Sequence, residues 1–273
     1  MNNLITTNNK LIKDSKLQAV KKGHFLAKDY QDSVLAIPNT KLGRFSYTQQ
    51  FYQWLVENNL YNDNLIYAGG AFGGYEINQV LGVDYIATAY DFGGTNNAVQ
   101  TVAAQQPKPI NNRFDFNGDG IRLELYPTNL QSNDILTCCC WAKGDFVRRS
   151  GFFYTGFTII GGFGQILGCV DGRVHSYLIS TTLQSDVLLT NNKWYHFAFT
   201  FDGTTNILYL NGQNVAQANL GYLVEIGSDL RDGIKVGQSN ANNRSFNGLI
   251  DDIIMTKELF NPDIHYQFTK GKY

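Results

Sequence analysis

Charge is scarce in this sequence. Asp, Glu, Lys and Arg make up 16% of the 273 residues, against roughly 25% in an ordinary globular protein, and the signs nearly cancel, 22 basic against 23 acidic. Such a chain has no basic field to draw it towards nucleic acid or an anionic bilayer, so neither is an expected partner. Long apolar runs are missing as well. The first twenty residues, MNNLITTNNKLIKDSKLQAV, interrupt every apolar pair with Asn, Lys, Thr or Asp, which excludes the apolar core of roughly 7 to 15 residues that a secretion signal needs. Nothing approaches the roughly 20 apolar residues of a membrane-spanning helix. The chain is therefore expected to be made in the cytoplasm and to be soluble, with no membrane insertion.

Cysteine is sparse too, and three of the four thiols, Cys138, Cys139 and Cys140, are consecutive. On a strand, Cys139 faces away from its two neighbours, and adjacent thiols do not bridge easily. With only Cys169 left over, at most one ordinary disulfide is plausible, and small apolar side chains filling a core is the favoured reading. No CxxC or paired-His spacing argues for a metal there. The four histidines, His24, His175, His196 and His265, come with no nucleophile elbow and no HExxH helix, so no hydrolytic triad is expected.

What the chain does have is 43% apolar residues, 27 glycines and about as many asparagines, a composition suited to short strands and tight turns. Residues 1 to about 30 carry apolar pairs, Leu4-Ile5, Leu11-Ile12 and Phe25-Leu26, too few for a core of their own; an arm that orders against another protein is preferred over a solvating tail or an edge strand. From Ser46 to Leu60 the pattern turns helical, with Phe51, Trp54 and Leu55 on one face and Asn58-Asn59 as the stop. A glycine-rich segment to Tyr75 reads as a packed linker. Beyond residue 110, strands are expected at 122–126, 135–142, 151–160, 164–170, 174–179, 186–189, 194–201, 207–210, 233–236 and 249–255, enough for two antiparallel sheets of about six strands each.

The richest stretch is Trp194 to Gly212, WYHFAFTFDGTTNILYLNG. Phe197, Phe199 and Phe201 alternate with a period of two, as do Ile207 and Tyr209, while Asp202-Gly203 and Asn211-Gly212 supply turns that tolerate positive φ. In order and spacing, Trp194, His196, Asp202-Gly203, Tyr209 and Asn211-Gly212 resemble the W-x-H … D-G … Y-x-N-G core of laminin G-like, concanavalin A-like jelly-roll domains. Gly233 to Gly237 and Phe246-Asn-Gly-Leu-Ile-Asp251 are similar to that family's closing strands. Tyr90-Asp91, Ala98-Val-Gln100, Gln106-Pro107 and Phe114 to Asp119 are similar to its opening, so the likeness runs from about residue 85 to 272. The helix around Phe51, Trp54, Leu55, Asn59, Leu60 and Tyr61, with Gly69-Gly70-Ala71-Phe72-Gly73 after it, resembles the module that precedes such domains in tailed-phage and prophage structural proteins; Gly93-Gly94-Thr95 departs from that pattern.

The resemblance implies a mainly β fold: a two-sheet antiparallel jelly-roll sandwich with a small N-terminal helical module and an extended arm. The expected division is 1–45 for the arm, 46–84 for the helical module and linker, and 85–273 for the jelly roll. It implies a non-enzymatic virion structural protein, a head or tail fibre, spike or decoration protein assembled in the host cytoplasm. Its arm would bind other virion proteins, its subunits would form a homo-oligomer, a trimer by analogy, and its jelly roll would meet the capsid or a host-surface glycan. A bacterial carbohydrate-binding lectin or adhesin is the alternative, and a glycan-active enzyme comes third. Jelly-roll glucanases carry an E-x-D-x-x-E strand that is missing here, and Asp251-Asp252, whose side chains should point to opposite faces of a strand, matches the family's structural I-D position.

Two binding sites are expected from the residues. Asp115, Asn117 and Asp119 follow the first half of a D-x-N-x-D-G calcium loop, although Tyr126 stands where the bidentate Glu would be. No cofactor is required, and calcium is the one candidate ion; the resemblance adds Asp171, Asp202 and Asp251 as further rim oxygens. For a glycan, the polar run Gln238, Asn240, Asn242, Asn243 and Arg244 is the preferred site, because it forms a solvated loop on any sandwich.

Overall fold

In a computed structural model, the structure describes residues 40–70, 74–92, 96–110, 113–117, 120–127, 134–147, 150–159, 162–178, 181–219, 233–238 and 245–273. Helix α1 (Thr40–Glu57) leads into strand β1 (Leu65–Gly69) and the hairpin of β2 (Tyr75–Val80) and β3 (Val83–Ala89). Short strands follow: β4 (Ala98–Val99), β5 (Lys108–Ile110), β6 (Arg113–Asp115) and β7 (Leu123–Leu125). The longer strands are β8 (Leu136–Asp145), β9 (Ser150–Ile159), β10 (Gly162–Val170) and β11 (Arg173–Leu178), then β12 (Thr181–Gln184), β13 (Tyr195–Phe201), β14 (Thr205–Leu210) and β15 (Gln213–Asn219). β16 (Ile234–Val236), β17 (Asn247–Thr256) and helix α2 (Pro262–Thr269) close the chain.

Two antiparallel sheets result. One has eight strands in the order β15-β14-β13-β8-β17-β6-β5, with β1 paired to β17; the other has nine, β12-β11-β10-β9-β16-β7-β4-β3-β2. Between them lies a core built on phenylalanine, including Phe114, Phe116, Phe146, Phe152, Phe153, Phe197, Phe199, Phe201 and Phe246. At about 1.5–3 kcal/mol per buried large apolar side chain, these rings are the main stabilising term. Cys138 and Cys140 join this core, whereas Cys139 lies outside it, as strand alternation requires; all four thiols are buried and none is in a disulfide.

A second, smaller core covers the outer face of the eight-stranded sheet. Phe51, Trp54 and Leu55 of α1 pack with Leu60, Leu65, Phe92 and Ile254, and Ile264 and Phe268 of α2 lie against them. The helix stops where expected: Asn59 takes φ 61°, and the Leu60 amide bonds the Leu55 carbonyl at 2.8 Å. It begins at Thr40, six residues before Ser46, because no proline interrupts 40–45 and a cap at Ser46 is not needed. The segment read as linker is strand. β1 is buried on both faces and pairs with β17 through Tyr67↔Met255 and Ala68↔Ile254, and β2 and β3 extend the nine-stranded sheet. Asp91 fastens this entry: its Oδ1 accepts from the Ala68 amide at 2.9 Å, while the Asn96 side chain donates to the Ile66 carbonyl at 2.8 Å.

The later strands fall at or within a few residues of their expected positions, with two exceptions. The run 186–189 is not a strand, its first three residues being exposed; β12 lies earlier, because Leu183 and not Leu188 reaches the core, and β15 was not expected, since its sequence after Asn211-Gly212 is mostly polar. Of the arm expected over 1–45, residues 1–39 lie outside the described residues, and 40–45 belong to α1. Among the described residues no helix is long and apolar enough to cross a membrane.

Candidate functional site

The signature stretch is structural, and its hydrogen bonds show why those residue types are needed. Asp202 Oδ1 accepts from the amides of Thr204 and Thr205 at 2.9 and 2.7 Å, closing the β13–β14 turn with Gly203 at φ 101°. These bonds hold the exposed Asp202 carboxyl below its ordinary range. Asn211, at φ 50°, accepts from the His196 amide at 2.9 Å and returns its own amide to the His196 carbonyl at 2.8 Å. The sequence motif therefore encodes a strand, two turns and a lock between them.

Asp251 and Asp252 do not point to opposite faces. Between Asp251↔Trp141 and Ile254↔Cys139, β17 advances three residues while β8 advances two, a bulge that puts Asp252 at φ 47°. Both carboxylates consequently meet the same cations and phenols. Lys272 Nζ donates to Asp251 at 3.0 Å and to Asp252 at 3.1 Å, and Tyr273 Oη donates to them at 3.1 and 2.6 Å. Arg113 Nε stands 3.3 Å from Asp251. Burial raises the Asp251 carboxyl, and Lys272 opposes that shift. Trp141 stacks on Tyr273, and the Arg113 guanidinium lies over Trp194 and Tyr273. Both carboxylates are fully buried, and their shared partners hold Lys272 and Tyr273 against the sheet.

The described residues flanking the two sites expected from sequence meet: the Gly120 amide donates to Ser245 Oγ at 2.8 Å, and the Phe116 amide to the Gly248 carbonyl at 2.8 Å. Gln238 pairs with Ser245 in a β-bridge and is 2% exposed, so it is not displayed as a ligand-binding side chain. Asn240, Asn242, Asn243 and Arg244 lie outside the described residues, as does Asp119. Asp115 Oδ1 accepts from the Asn117 amide at 3.1 Å in a local turn, and partial burial raises its pKa. Among the described residues, Asp115, Asp171, Asp202 and Asp251 belong to no group of three or more metal-ligating side chains.

A larger polar surface was not anticipated. On β7, β16, β11 and β12 of the nine-stranded sheet Leu123, Leu125, Ile234, Val236, Val174 and Leu183 face the core, so Glu124, Lys235, Tyr177 and Thr182 lie on the opposite face. Backbone register, with a shift beside Gln165, links these strands in a row through β9 and β10: Glu124↔Lys235, Lys235↔Tyr154, Tyr154↔Gln165, Gln165↔Tyr177 and Tyr177↔Thr182. Beside it, His175 pairs with Gln184 and stacks at 6.4 Å on Tyr177. At the β7 end, Arg122 Nε donates to Glu124 Oε1 at 2.5 Å, the half-exposed Tyr126 donates to Glu124 Oε2, and the three side chains share this face. Only the pairing register reveals the row, since its members are spread along the sequence from Glu124 to Lys235.

The family model described as the concanavalin A-like lectin/glucanases superfamily matches residues 117–264. Among solved structures, the chain is similar to the binding domain of Paraclostridial Mosquitocidal Protein 1, at 13% identity and TM-score 0.51, over 77% of this chain and 52% of that one. It is also similar to Trypanosoma rangeli sialidase, at 14% identity and TM-score 0.52, over 77% of this chain and 33% of that one. The chain thus spans about half of the first and a third of the second. At these identities the likeness is one of fold. No curated protein matches the sequence significantly.

Proposed function

The chain belongs to the concanavalin A-like lectin/glucanases superfamily, and from that membership we propose a non-enzymatic carbohydrate-binding protein whose ligand docks on the outward face of the nine-stranded sheet. The observation that supports this reading is the outward face of β7, β16, β11 and β12, where Tyr177 and Thr182 share a side with the Glu124 carboxylate and the Lys235 ammonium, and Arg122 and Tyr126 bond Glu124. A sugar presents C–H faces that an aromatic ring covers and hydroxyls that planar polar groups bond, and such sites are concave surfaces with a few placed polar groups. The polar run Asn240, Asn242, Asn243 and Arg244 would add glycan contacts, and calcium is the ion that Asp115, Asn117 and Asp119 would take. The fully buried Asp251–Asp252 pair supports the absence of glycosidase chemistry, which needs one carboxyl free to donate a proton.

The finer reading is display on a virion. Its support is the likeness of the segment 51–73 to the module preceding such domains in phage structural proteins. Residues 1–45 attach the subunit to other virion proteins, and a trimer displayed in many copies raises weak single-site affinity through avidity.

A glycan array with the full chain, with and without calcium, tests the binding reading. Binding to a defined oligosaccharide class, lost in Arg122→Ala and Tyr177→Ala while thermal stability is kept, is the expected result. Equal binding by both variants would move the site elsewhere, and release of sugar from any arrayed glycan would refute the non-enzymatic part. Removing residues 1–30 tests the attachment: glycan binding should persist while incorporation into particles is lost.

A further inference from the structure

On the outer face of the eight-stranded sheet, Cys139 of β8 and His196 of β13 lie beneath α2, which contributes His265. All three are fully buried. The Cys139 sulfur and one ring nitrogen from each histidine lie within 4.8 Å of one another, about the span of ligands held 2.0–2.3 Å from a single centre. The imidazoles meet directly, His196 Nε2 at 2.9 Å from His265 Nδ1. Their outer nitrogens, His196 Nδ1 and His265 Nε2, are buried with no hydrogen-bond partner among the described residues, an unfavourable state for a buried polar group. Burial keeps both rings neutral: it lowers His265 to about 3 with help from the Lys272 charge, and lowers His196 well below the usual range with help from His265. Neutral imidazoles are what a metal ion binds.

We propose that Cys139, His196 and His265 form a binding site for copper(I). Charge selects the ion. One thiolate and two neutral imidazoles carry a single negative charge, so a monovalent cation leaves a neutral centre, whereas zinc would leave a net positive charge in a dry interior, a costly arrangement. Coordination agrees: two imidazoles and one sulfur make a trigonal set suited to copper, while a structural zinc site wants four ligands, and no fourth His, Cys, Asp or Glu joins the group among the described residues. On binding, the S–H bond breaks and a Cu–S bond forms with one proton leaving to solvent, the His196–His265 hydrogen bond breaks, the ring that donated it moves its proton to its outer nitrogen, each imidazole binds through the freed lone pair, and no oxidation state changes. Because β8, β13 and α2 each supply one ligand, the set is complete only with the C-terminal helix docked. Copper therefore pins that helix to the sheet.

The test is anaerobic titration of the full chain with copper(I) held by a chromophoric chelator such as bicinchoninate. The wild type should draw one equivalent from the chelator. Cys139→Ala and His265→Gln should each weaken binding by more than about tenfold, which is 1.4 kcal/mol, while Cys169→Ala, which removes a buried thiol from the other face, should not. X-ray absorption on the loaded wild type should show one sulfur and two nitrogens around copper, a reading independent of whether any variant folds. A shell without sulfur, unchanged binding by folded Cys139→Ala, or uptake of zinc(II) with copper(I) left on the chelator would each overturn the proposal.

Discussion

Tyr47 on α1 donates its hydroxyl proton to Asp252 Oδ1 at 3.0 Å, across 205 positions of sequence. Burial, then the charges of Asp252 and Asp251, raise the Tyr47 pKa far above its ordinary value, so the phenol stays protonated and remains a donor. This bond couples the N-terminal helix to the bulge in β17. Tyr47→Phe keeps the ring against Phe51 and Phe268 and removes one hydrogen bond to a charged acceptor. Lys272 and Tyr273 still hold Asp252, so the loss should be about 1–2 kcal/mol, read as a lower denaturant midpoint at unchanged slope. An unchanged midpoint would show that the helix is held by its apolar face alone.

Lys272 is the cation that both buried aspartates share. Lys272→Met leaves the methylene stem in place and removes the charge, so both carboxylates remain buried, Asp251 with Arg113 as its remaining ion-pair partner and Asp252 with the Tyr47 and Tyr273 hydroxyls. Breaking a buried pair by deleting one partner costs about 3–5 kcal/mol. Burial already raises the Asp251 pKa, so its folded state takes up a proton more readily than its unfolded state. A group of that kind stabilises at low pH and loses the contribution as pH rises through its folded pKa. The gap in stability between variant and wild type should therefore narrow on going from pH 7 to pH 5. A gap that widens would contradict the charge origin of the loss.

Sequence alone revealed the fold where each strand reports on itself. β13 and β14 alternate with a period of two and end in Asx-Gly turns, so their position follows from local pattern. β1 hides because all five residues are buried on both faces, and a short apolar run without alternation fits a linker equally well. α2 carries a signal that was not used: Asn261 caps the Asp263 amide and Pro262 occupies the first turn. The bulge at Asp252 was beyond reach, since it exists only relative to the register of β8. The same holds for the polar row on the nine-stranded sheet and for Cys139, His196 and His265, which come together only through strand pairing and the docking of α2. Chemistry assembled across strands is invisible to a search for motifs along one.

Gly237 separates β16 from the bridge at Gln238, with φ 84°, and a Cβ placed there would stand 2.1 Å from the Phe116 ring. Phe116 is fully buried between Asp115 and Asn117, so the ring has little room to yield. Gly237→Ala adds left-handed strain to overpacking, about 2–4 kcal/mol together. Because the 115–117 loop rests on this contact, the variant should also weaken any calcium affinity measured by calorimetry. Full stability in the variant would mean that the two loops are not in contact as described.

The two buried histidines give the protein an acid-sensitive stability. Their folded pKa values are lowered, His265 to about 3 and His196 well below its usual value, while the unfolded chain binds protons at about 6.5. The stabilising contribution is thus complete above about pH 6.5 and is lost as pH falls, because the unfolded state takes up protons that the folded state refuses. Each histidine supplies a slope of up to about 1.4 kcal/mol per pH unit, and the decline for His265 ends only near its folded value of about 3. Denaturation measured at intervals from pH 6.5 to 5 should show stability falling steadily. His265→Gln removes one of the two titrations while keeping a polar side chain beside His196, so its slope should be about half that of the wild type. Parallel slopes in the two proteins would show that His265 does not exclude protons from the folded state.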